Sequence, residues 1–330
     1  MDLVPKVKKF ILANHLLKST DKVVVGVSGG ADSVALIHIL SHLRYELGIS
    51  LVIAHFNHNL RKSAIQDQKF TEKLAQKLHL PCVAGIWQKK RNFSQGSLEE
   101  TAREERFRFL IHTAREQKGS VIALGHHVDD LAETVLMRLL RGSGLQGLRG
   151  ILPKREIQGF PVIRPLLSFT RQEIENYLKK NRISYRLDPT NKKTDFFRNK
   201  IRHQLLPWLE KNYQKNIREI LANVSQTLTA DYEFLRAQAQ ILFKKEAQCS
   251  QDKRTILFPL ALFFKKPPAL QRMLIRIAVE ELKKDTNRLT LTHIKEIEDL
   301  IKNRPSLSVV HLVDNVMVTK TKDSLTLFKK

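Results

Sequence analysis

Between Lys22 and about Leu140 the sequence alternates short apolar runs, rich in β-branched residues, with longer segments of helical periodicity. The apolar runs are KVVVGV, SLVIAHF, CVAGIW and SVIALG. Helices are predicted from about Ser33, near Ala64 to Leu78, from Leu98 and from about Asp129. Strands that are apolar on both faces and joined by helices form a parallel sheet covered on both sides, with ligands at the carboxyl ends of the strands. The sequence therefore predicts an α/β, Rossmann-like domain.

The rest of the chain predicts a second, smaller domain. A capping box at Thr170 and Glu173 begins one more helix of the first domain, and we place the boundary near Lys215. Residues 216–300 read mostly as helices. The final stretch SLSVVHLVDNVMVTKTKDSLTLF predicts two or three strands, with turns at Asp-Asn and Lys-Asp. The predicted domains are thus residues 1–215, α/β, and residues 216–330, α+β.

The chain is strongly basic, with 57 Lys and Arg against 33 Asp and Glu and a net charge of +24. The charge is spread evenly, at +15 over residues 1–210 and +9 over residues 211–330. An even spread predicts that both domains lie along one extended polyanion the size of a tRNA. The alternatives are a generally lysine-rich proteome and, fitting less well, a membrane surface, because the first predicted helix has only a modest basic face.

Cysteine content and hydropathy favour a reducing, aqueous compartment. Cys82 and Cys249 stand far apart without a CxxC motif, so neither a disulfide framework nor a zinc or iron–sulfur site is expected. The longest apolar stretch, from Ile256 to Phe264, is too short to span a bilayer, and the N-terminus lacks a cleavable signal pattern. We expect a soluble, cytoplasmic protein.

The segment Ser28-Gly29-Gly30-Ala31-Asp32-Ser33 directly follows the first predicted strand. Two glycines let backbone N–H groups turn inward, the serines add hydroxyl donors, and the following helix N-terminus attracts anions, so the segment predicts a phosphate-binding loop. It is neither a Walker A loop nor a G-x-G-x-x-G dinucleotide motif. The alternative is a tight turn in which Asp32 or Ser33 caps the helix.

This loop resembles the pyrophosphate loop (PP-loop) of the N-type ATP pyrophosphatases, which cleave ATP between the α and β phosphates. Further segments, in order and at matching spacing, resemble the tRNA(Ile)-lysidine synthetase family within that superfamily. They are HFNHNLR from His55, EETAREER from Glu99, GHHVDDLAET from Gly125, RGSGL from Arg141, RPLL from Arg164, and the stretch from Asp188 through Asn191 to RNKIRHQLLPWL.

The resemblance implies a ligase that uses ATP, Mg²⁺ and free L-lysine to convert cytidine 34 of a tRNA(Ile) with a CAU anticodon to lysidine. The C2 oxygen of cytosine is adenylated, and the lysine ε-amine then displaces AMP, which changes codon reading from AUG to AUA and tRNA identity from Met to Ile. Longer members of the family carry an additional C-terminal domain. We therefore expect residues 216–330 to select the tRNA alone, and a homodimer is left open.

The resemblance also implies roles for individual residues. The ATP-binding set is Ser28, Gly29, Gly30, Ala31, Asp32, Ser33 and His55. The catalytic set is Asp32, Arg106, His126 and Asp130, with Asp130 accepting the proton of the amine; the Mg²⁺ ligands are Asp32 and Asp129. The tRNA-binding set is Arg61, Arg141, Lys192, Lys193, Arg198, Lys200 and Arg202.

Each of these groups has a simpler interpretation as well. The histidines and carboxylates from His126 to Glu133 could ligate the metal of a metallohydrolase. Alternatively, Asp129 and Asp130 could do no more than interact favourably with the dipole of the helix that they begin. His55 could only line a turn, and the basic run near Arg198 could be a solvated face.

Three competing functions share part of this pattern. A tRNA 2-thiolation enzyme shares the loop and the adenylation step but needs catalytic or cluster-binding cysteines. A small-molecule amide ligase of the same superfamily does not explain a net charge of +24. A pure RNA-binding module has the charge without the catalytic motifs.

Overall fold

The computed structural model describes residues 2–57, 59, 64–87, 95–186, 197–252, 254–283 and 289–330, with the side chains of 95–99 excepted. The described residues divide into two units. The first comprises Met1–Gly142 with Arg149–Ser225, and the second comprises Ser143–Leu148 with Gln226–Lys330. The division falls at Ser225, about ten residues after the boundary near Lys215 that the sequence predicts.

The first unit is built on a six-stranded sheet with the strand order β3-β2-β1-β4-β6-β5. The first four strands and β6 pair in parallel, and β5 closes the edge as an antiparallel hairpin with β6. The strands are β1 Lys22–Gly26, β2 Ser50–Asn57, β3 Cys82–Ile86, β4 Val121–Ala123, β5 Lys154–Ile157 and β6 Phe160–Ile163. The predicted parallel α/β sheet is thereby confirmed, and the β5–β6 hairpin is an addition.

Helices cover both faces of this sheet. Because side chains alternate along a strand, Val23 and Val25 pack with the helices Leu3–Ala13, Ala31–Leu43 and Arg171–Lys180, whereas Val24 packs against Gln95–Glu116 on the opposite face. The helices of the first unit are α1 Leu3–Ala13, α2 Ala31–Leu43, α3 Ala64–Leu78, α4 Gln95–Glu116, α5 Val128–Leu140, α7 Arg171–Lys180, α8 Phe197–Lys200 and α9 Leu206–Asn212, with a π-helix at Ile201–Leu205.

The order of the strands places the ligand crevice. The chain runs from β1 outward through β2 to β3 and then returns to the other side of β1 with β4. Ligands of open α/β sheets bind at the carboxyl ends of the strands where the order reverses, which is here between the segments that follow β1 and β4.

The second unit contains a five-stranded antiparallel sheet with the order β7-β8-β11-β10-β9. The strands are β7 Gln248–Cys249, β8 Thr255–Pro259, β9 Val309–His311, β10 Val316–Lys320 and β11 Ser324–Lys329. The helices are α6 Leu145–Leu148, α10 Ile217–Glu246, which begins in the first unit, α11 Leu260–Phe264, α12 Pro268–Lys283 and α13 Leu291–Lys302, with a 3₁₀ turn at Val313–Asn315.

The predicted terminal strands are confirmed as β9, β10 and β11. Asp314 and Asn315 both have positive φ, 56° and 61°, which is the backbone that a tight turn between twisted strands requires. Strands β7 and β8 lie in the region that the sequence interpreted as mostly helical. Among the described residues, no helix is long and apolar enough to cross a membrane.

Candidate active site

The segment Ser28–Ser33 turns from β1 into α2 and is held open by its own hydroxyl groups. The backbone N–H of Ser28 donates to Ser33 Oγ at 3.1 Å, and Ser33 Oγ donates to the carbonyl of Gly30 at 3.0 Å. Gly29 adopts φ +88°, a conformation that side chains rarely allow. No side chain caps the N-terminus of α2 at Gly30. The first N–H groups of α2 are therefore free of a capping side chain and suited to an anion.

The segment after β4 lies directly against this loop. A Cβ atom added to Gly125 would stand 2.9 Å from the carbonyl oxygen of Asp32 and 3.1 Å from the backbone nitrogen of Ser33. Only glycine permits this approach. The contact brings the histidines and carboxylates that follow Gly125 to the N-terminus of α2.

His127 lies at the centre of a cluster of three carboxylates. Its Nδ1 is 3.2 Å from Asp129 Oδ2, and its Nε2 is 3.4 Å from Asp130 Oδ2 and 3.6 Å from Asp32 Oδ1. Burial lowers the pKa of His127, but the hydrogen bond to Asp129 and the charges of Asp130 and Asp32 raise it above 6.5. The surrounding acids thus favour the protonated form of His127, whose ring contacts all three of them beside the loop.

Arg171, the first residue of α7, binds two of these acids. Its Nη1 lies 2.5 Å from both carboxylate oxygens of Asp32, and its backbone N–H donates to Asp129 Oδ2 at 2.9 Å. Arg218 Nη1 reaches the other oxygen of Asp129 at 3.0 Å. Burial raises the pKa of Asp129, but the bonds from His127 and Arg171 outweigh it and hold this pKa well below 3.8. Asp129 is therefore ionised at neutral pH.

Asp130 and Glu133 form a second layer with two arginines. Arg198 donates from Nε to Glu133 at 2.8 Å and from Nη2 to Asp130 at 3.0 Å. Arg202 makes two bonds to Glu133, at 2.5 and 2.9 Å, and one to Asp130 at 3.1 Å. The Glu133 side chain is fully buried. Burial raises the pKa of Asp130, but the charges of His127 and both arginines lower it below 3.8, so Asp130 is a carboxylate.

Two polar groups beside this layer are buried without a partner among the described residues: Nδ1 of His126 and Nε of Arg106. Burial lowers the pKa of His126 to about 3, so the imidazole is neutral. Burial together with the neighbouring Arg103 lowers the pKa of Arg106 to about 10, which leaves it charged at pH 7. Buried polar groups normally have a partner, so these two atoms are candidates for contact with a reacting group.

His55 occupies the carboxyl end of β2, next to the loop. Its Nδ1 donates to the carbonyl of Val27 at 2.8 Å, which leaves Nε2 as a buried acceptor without a partner among the described residues. Burial lowers the pKa of His55, so this ring is neutral. A nearby N–H or O–H of a nucleotide would satisfy Nε2.

Asp32 fits a Mg²⁺ ion better than Asp129 does. Mg²⁺ usually binds one or two protein carboxylates together with phosphate oxygens. Asp32 stands beside the loop with 27% of its side chain exposed, and burial raises its pKa, so a nearby cation would favour its ionised form. Both oxygens of each carboxylate already accept bonds, but only 15% of the Asp129 side chain is exposed, so Asp32 is the more accessible of the two. Among the described residues, no three or more His, Cys, Asp or Glu side chains are arranged to hold a metal.

The structure thus brings Asp32, His126, Asp129 and Asp130 together. Of the residues predicted to bind tRNA, Arg141 and Lys200 are exposed. Arg61, Lys192 and Lys193 lie outside the described residues. Arg198 and Arg202 contact acidic side chains of α5, so their tRNA role stays a prediction.

Four site residues were not assigned to the site from the sequence: His127 and Glu133, which were named only as ligands of the alternative metal site, and Arg171 and Arg218. His127 and Glu133 lie within the GHHVDDLAET segment, so that motif carried a signal for them. Arg171 directly follows Thr170, the N-cap of a predicted helix, so the sequence suggested only a structural role for it. Arg218 is 89 positions from Asp129, and no local pattern links the two.

Comparisons with known proteins identify the family of the chain. A family model described as a PP-loop domain matches residues 2–209. The tRNA(Ile)-lysidine synthase of Clostridium perfringens strain 13 is 39% identical over 295 residues, which cover 88% of this chain and 62% of that protein. The synthase of Clostridioides difficile is 34% identical, and the match covers 98% of this chain and 70% of that protein.

A solved structure shares the fold. The U34-tRNA thiolase NcsA from Methanococcus maripaludis with its [4Fe-4S] cluster aligns with a TM-score of 0.56 at 18% identity, over 68% of this chain and 78% of that one. The present chain spans less than two thirds of the Clostridium perfringens relative's length. From the matched residues and their identity, the chain belongs to the PP-loop family of tRNA(Ile)-lysidine synthases.

Proposed function

We propose that this protein is an ATP-dependent ligase that converts cytidine 34 of a tRNA(Ile) with a CAU anticodon to lysidine. The observation that carries the proposal is that an anion-binding loop lies against a cluster of hydrogen-bonded carboxylates and unpartnered polar groups at the carboxyl ends of the strands. Family membership and the net charge of +24 support a nucleic-acid substrate. The reaction takes place in the cytoplasm.

In the first step the C2 oxygen of cytosine attacks the α-phosphorus of ATP, and pyrophosphate leaves. The backbone N–H groups from Gly30 to Ser33 hold the departing phosphates. Bound at Asp32, Mg²⁺ would offset phosphate charge. Arg106 stabilises the charge that develops on the α-phosphate, and the neutral His126 donates a hydrogen bond to an oxygen of that phosphate.

In the second step a C–N bond forms between the lysine ε-amine and C2 of the base, and the C–O bond to AMP breaks. The amine is almost wholly protonated at pH 7, because its reference pKa is about 10.4. We assign Asp130 to hold the ammonium group and accept its proton. Since the pKa of Asp130 is lowered by His127 and the arginines, proton transfer to it requires a change in those contacts.

The alternative of tRNA 2-thiolation is disfavoured by the thiols. Burial raises the pKa of Cys82 to about 11, so this half-buried thiol is protonated at neutral pH and a poor nucleophile. Cys249, the second of two cysteines, belongs to β7 of the other unit. The likeness to the thiolase is one of fold.

The test is incorporation of ¹⁴C-lysine into a tRNA(Ile) transcript with a CAU anticodon, in the presence of ATP and Mg²⁺. Parallel reactions use the same transcript with C34 changed to U and a methionine tRNA. We expect label on the first transcript alone, and loss of label with Asp32→Ala or Asp130→Ala at nearly unchanged tRNA affinity. Release of pyrophosphate without lysine incorporation would refute the assigned nucleophile, and full activity of either variant would refute the site.

A further inference from the structure

Three large aromatic side chains are exposed within a short part of the first unit, Phe197–Tyr213. Phe197 is 41% exposed, Trp208 is 50% exposed and Tyr213 is 72% exposed. The rings of Trp208 and Tyr213 lie 5.0 Å apart at an angle of 56°. The guanidinium of the exposed Arg141 lies 5.3 Å over the Phe197 ring. We call these three rings the aromatic surface.

The exposure of Trp208 is imposed by the fold beneath it. Leu206 at the start of α9 is fully buried with Ile201 and Leu136, and Leu205 and Leu209 pack against the same cluster. Trp208 is two residues from Leu206, about 200° around the helix, so it points away from that core. The backbone that presents Trp208 is therefore anchored, while its ring is left in solvent.

The charge around the aromatic surface is positive. Lys200, Lys211 and Lys215 are exposed in the same stretch, and Arg141 stacks on one of the rings. The carboxylate of Glu210 is paired with Arg218. An apolar partner protein would gain little from such surroundings, whereas a polyanion with flat, stackable groups would gain from both the rings and the charges.

The aromatic surface is joined to the candidate active site by short contacts. Arg198, next to Phe197 in sequence, donates to Asp130 at 3.0 Å. Glu210, on the same helix as Trp208, bonds to Arg218 Nε at 2.7 Å, and Arg218 reaches Asp129 at 3.0 Å. The exposed rings thus belong to the elements that border the acid cluster.

We propose that the aromatic surface binds unpaired nucleotides next to the target cytidine by stacking on their bases. This inference rests on the proposed function in taking RNA as the substrate, and it adds a part of the site that recognises single-stranded RNA. A base inside a helical stack cannot reach a buried reaction centre, so the flanking nucleotides must be held in an opened arrangement. Stacking on Trp208, Tyr213 and Phe197 supplies it without reading a sequence.

The experiment uses the fluorescence of Trp208, one of two tryptophans in the chain, the other being the buried Trp87. The full chain is titrated with a synthetic anticodon stem-loop carrying CAU, and with a blunt-ended duplex of the same stem. We expect the stem-loop to quench Trp208 and the duplex not to. In filter binding of the radiolabelled stem-loop, which does not depend on Trp208 as a reporter, Trp208→Ala and Tyr213→Ala should each bind about five- to a hundredfold more weakly than the wild type, the range for loss of one stacking ring.

Two controls separate stacking from folding and from general surface change. Trp208→Phe keeps a stacking ring, so we expect it to retain most of the affinity. Tyr45→Ala removes another exposed ring that carries an arginine, Arg44, at 4.8 Å, but at the far end of α2, about 20 Å along the helix from the loop. We expect Tyr45→Ala to bind as the wild type does.

Wild-type affinity in both alanine variants, or equal quenching by the duplex, would overturn the inference. Quenching that depends on protein concentration without RNA would also overturn it, because the rings would then be an interface between copies. Should Trp208→Ala fail to fold, Tyr213→Ala decides. If Tyr213→Ala incorporated lysine and bound the stem-loop with wild-type affinity, the proposed function would stand and the aromatic surface would be excluded as an RNA-binding site. If the stem-loop quenched Trp208 of the wild type but no lysine was incorporated, the aromatic surface would stand as an RNA-binding site and the proposed function would be refuted.

Discussion

Glu133 provides the sharpest test of how the acid cluster is held together. Its carboxylate is fully buried and accepts three bonds from Arg198 and Arg202 at 2.5–2.9 Å. Breaking a buried ion pair by removing one partner typically costs about 3–5 kcal/mol. Because both arginines keep Asp130 as a second partner, we expect a cost at the lower end of that range. Glu133→Ala should therefore lower the free energy of unfolding by about 3 kcal/mol.

The assay is urea unfolding followed by tryptophan fluorescence. Both tryptophans, Trp87 and Trp208, lie in the first unit, so the signal reports on the unit that contains Glu133. With a slope of about 2 kcal/mol per molar urea, a loss of 3 kcal/mol moves the midpoint down by about 1.5 M. Glu133→Gln, which keeps one acceptor oxygen, should fall between the wild type and the alanine variant.

A surface ion pair in the same unit supplies the matched control. Glu105 is bonded to Arg108 one turn away on α4, and 64% of the Arg108 side chain is exposed. Exposed pairs of this kind contribute about 0–1 kcal/mol, so Glu105→Ala should barely move the midpoint. A Glu133→Ala midpoint within about 0.3 M of the wild type would refute the claim that the buried carboxylate holds the cluster together.

Three further predictions follow from particular contacts. Gly125→Ala places a Cβ 2.9 Å from backbone of the first turn of α2, so it should lower ATP affinity at least about tenfold in calorimetry, whereas Gly144→Ala, with open space around it, should not. Since the pKa of Asp129 lies below its unfolded value, its contribution to stability is complete above about pH 4 and is lost as the pH falls through the lower folded pKa. Wild-type unfolding free energy should therefore fall more steeply below pH 4 than that of Asp129→Asn. Lys200→Ala should reduce the slope of log affinity for tRNA against log salt concentration by about 1, without loss of stability. Arg198→Ala should instead lower the free energy of unfolding by about 1.5–3 kcal/mol in the urea assay, because it removes a bond to the buried Glu133. Equal stability of the two variants would contradict the assignment of Arg198 to Glu133.

Much of the fold was predictable because its signal is local. Each of the strands β1 to β4 is a short apolar run flanked by helical periodicity, and the Asp314-Asn315 turn is marked by its own residue types. The strand Lys154–Ile157 was missed because three of its four residues are charged and it gains its place only by pairing with β6. Strand β8 was missed because its apolar residues continue without a break into α11.

The site was predictable to the extent that its residues follow strand ends. The loop directly follows β1 and the carboxylates near His126 directly follow β4, so their approach follows from a parallel sheet in which these two strands are neighbours. The partners of those carboxylates are not local. Arg198 and Arg202 lie 65 to 72 positions from the acids they bind, and Arg171 lies 139 positions from Asp32. The basic charge of Arg198 and Arg202 was therefore interpreted as a surface for RNA, and the contacts of all three arginines required the folded chain.

The central claim is that this site joins AMP to the tRNA base before lysine arrives. The direct measurement incubates the protein with the CAU-anticodon tRNA and ATP labelled at the α-phosphate, without lysine, and then adds lysine. We predict label on the tRNA that is released as AMP on adding lysine, while label in the γ position leaves as pyrophosphate. Release of γ label as inorganic phosphate, with none of the α label on the tRNA, would contradict the account.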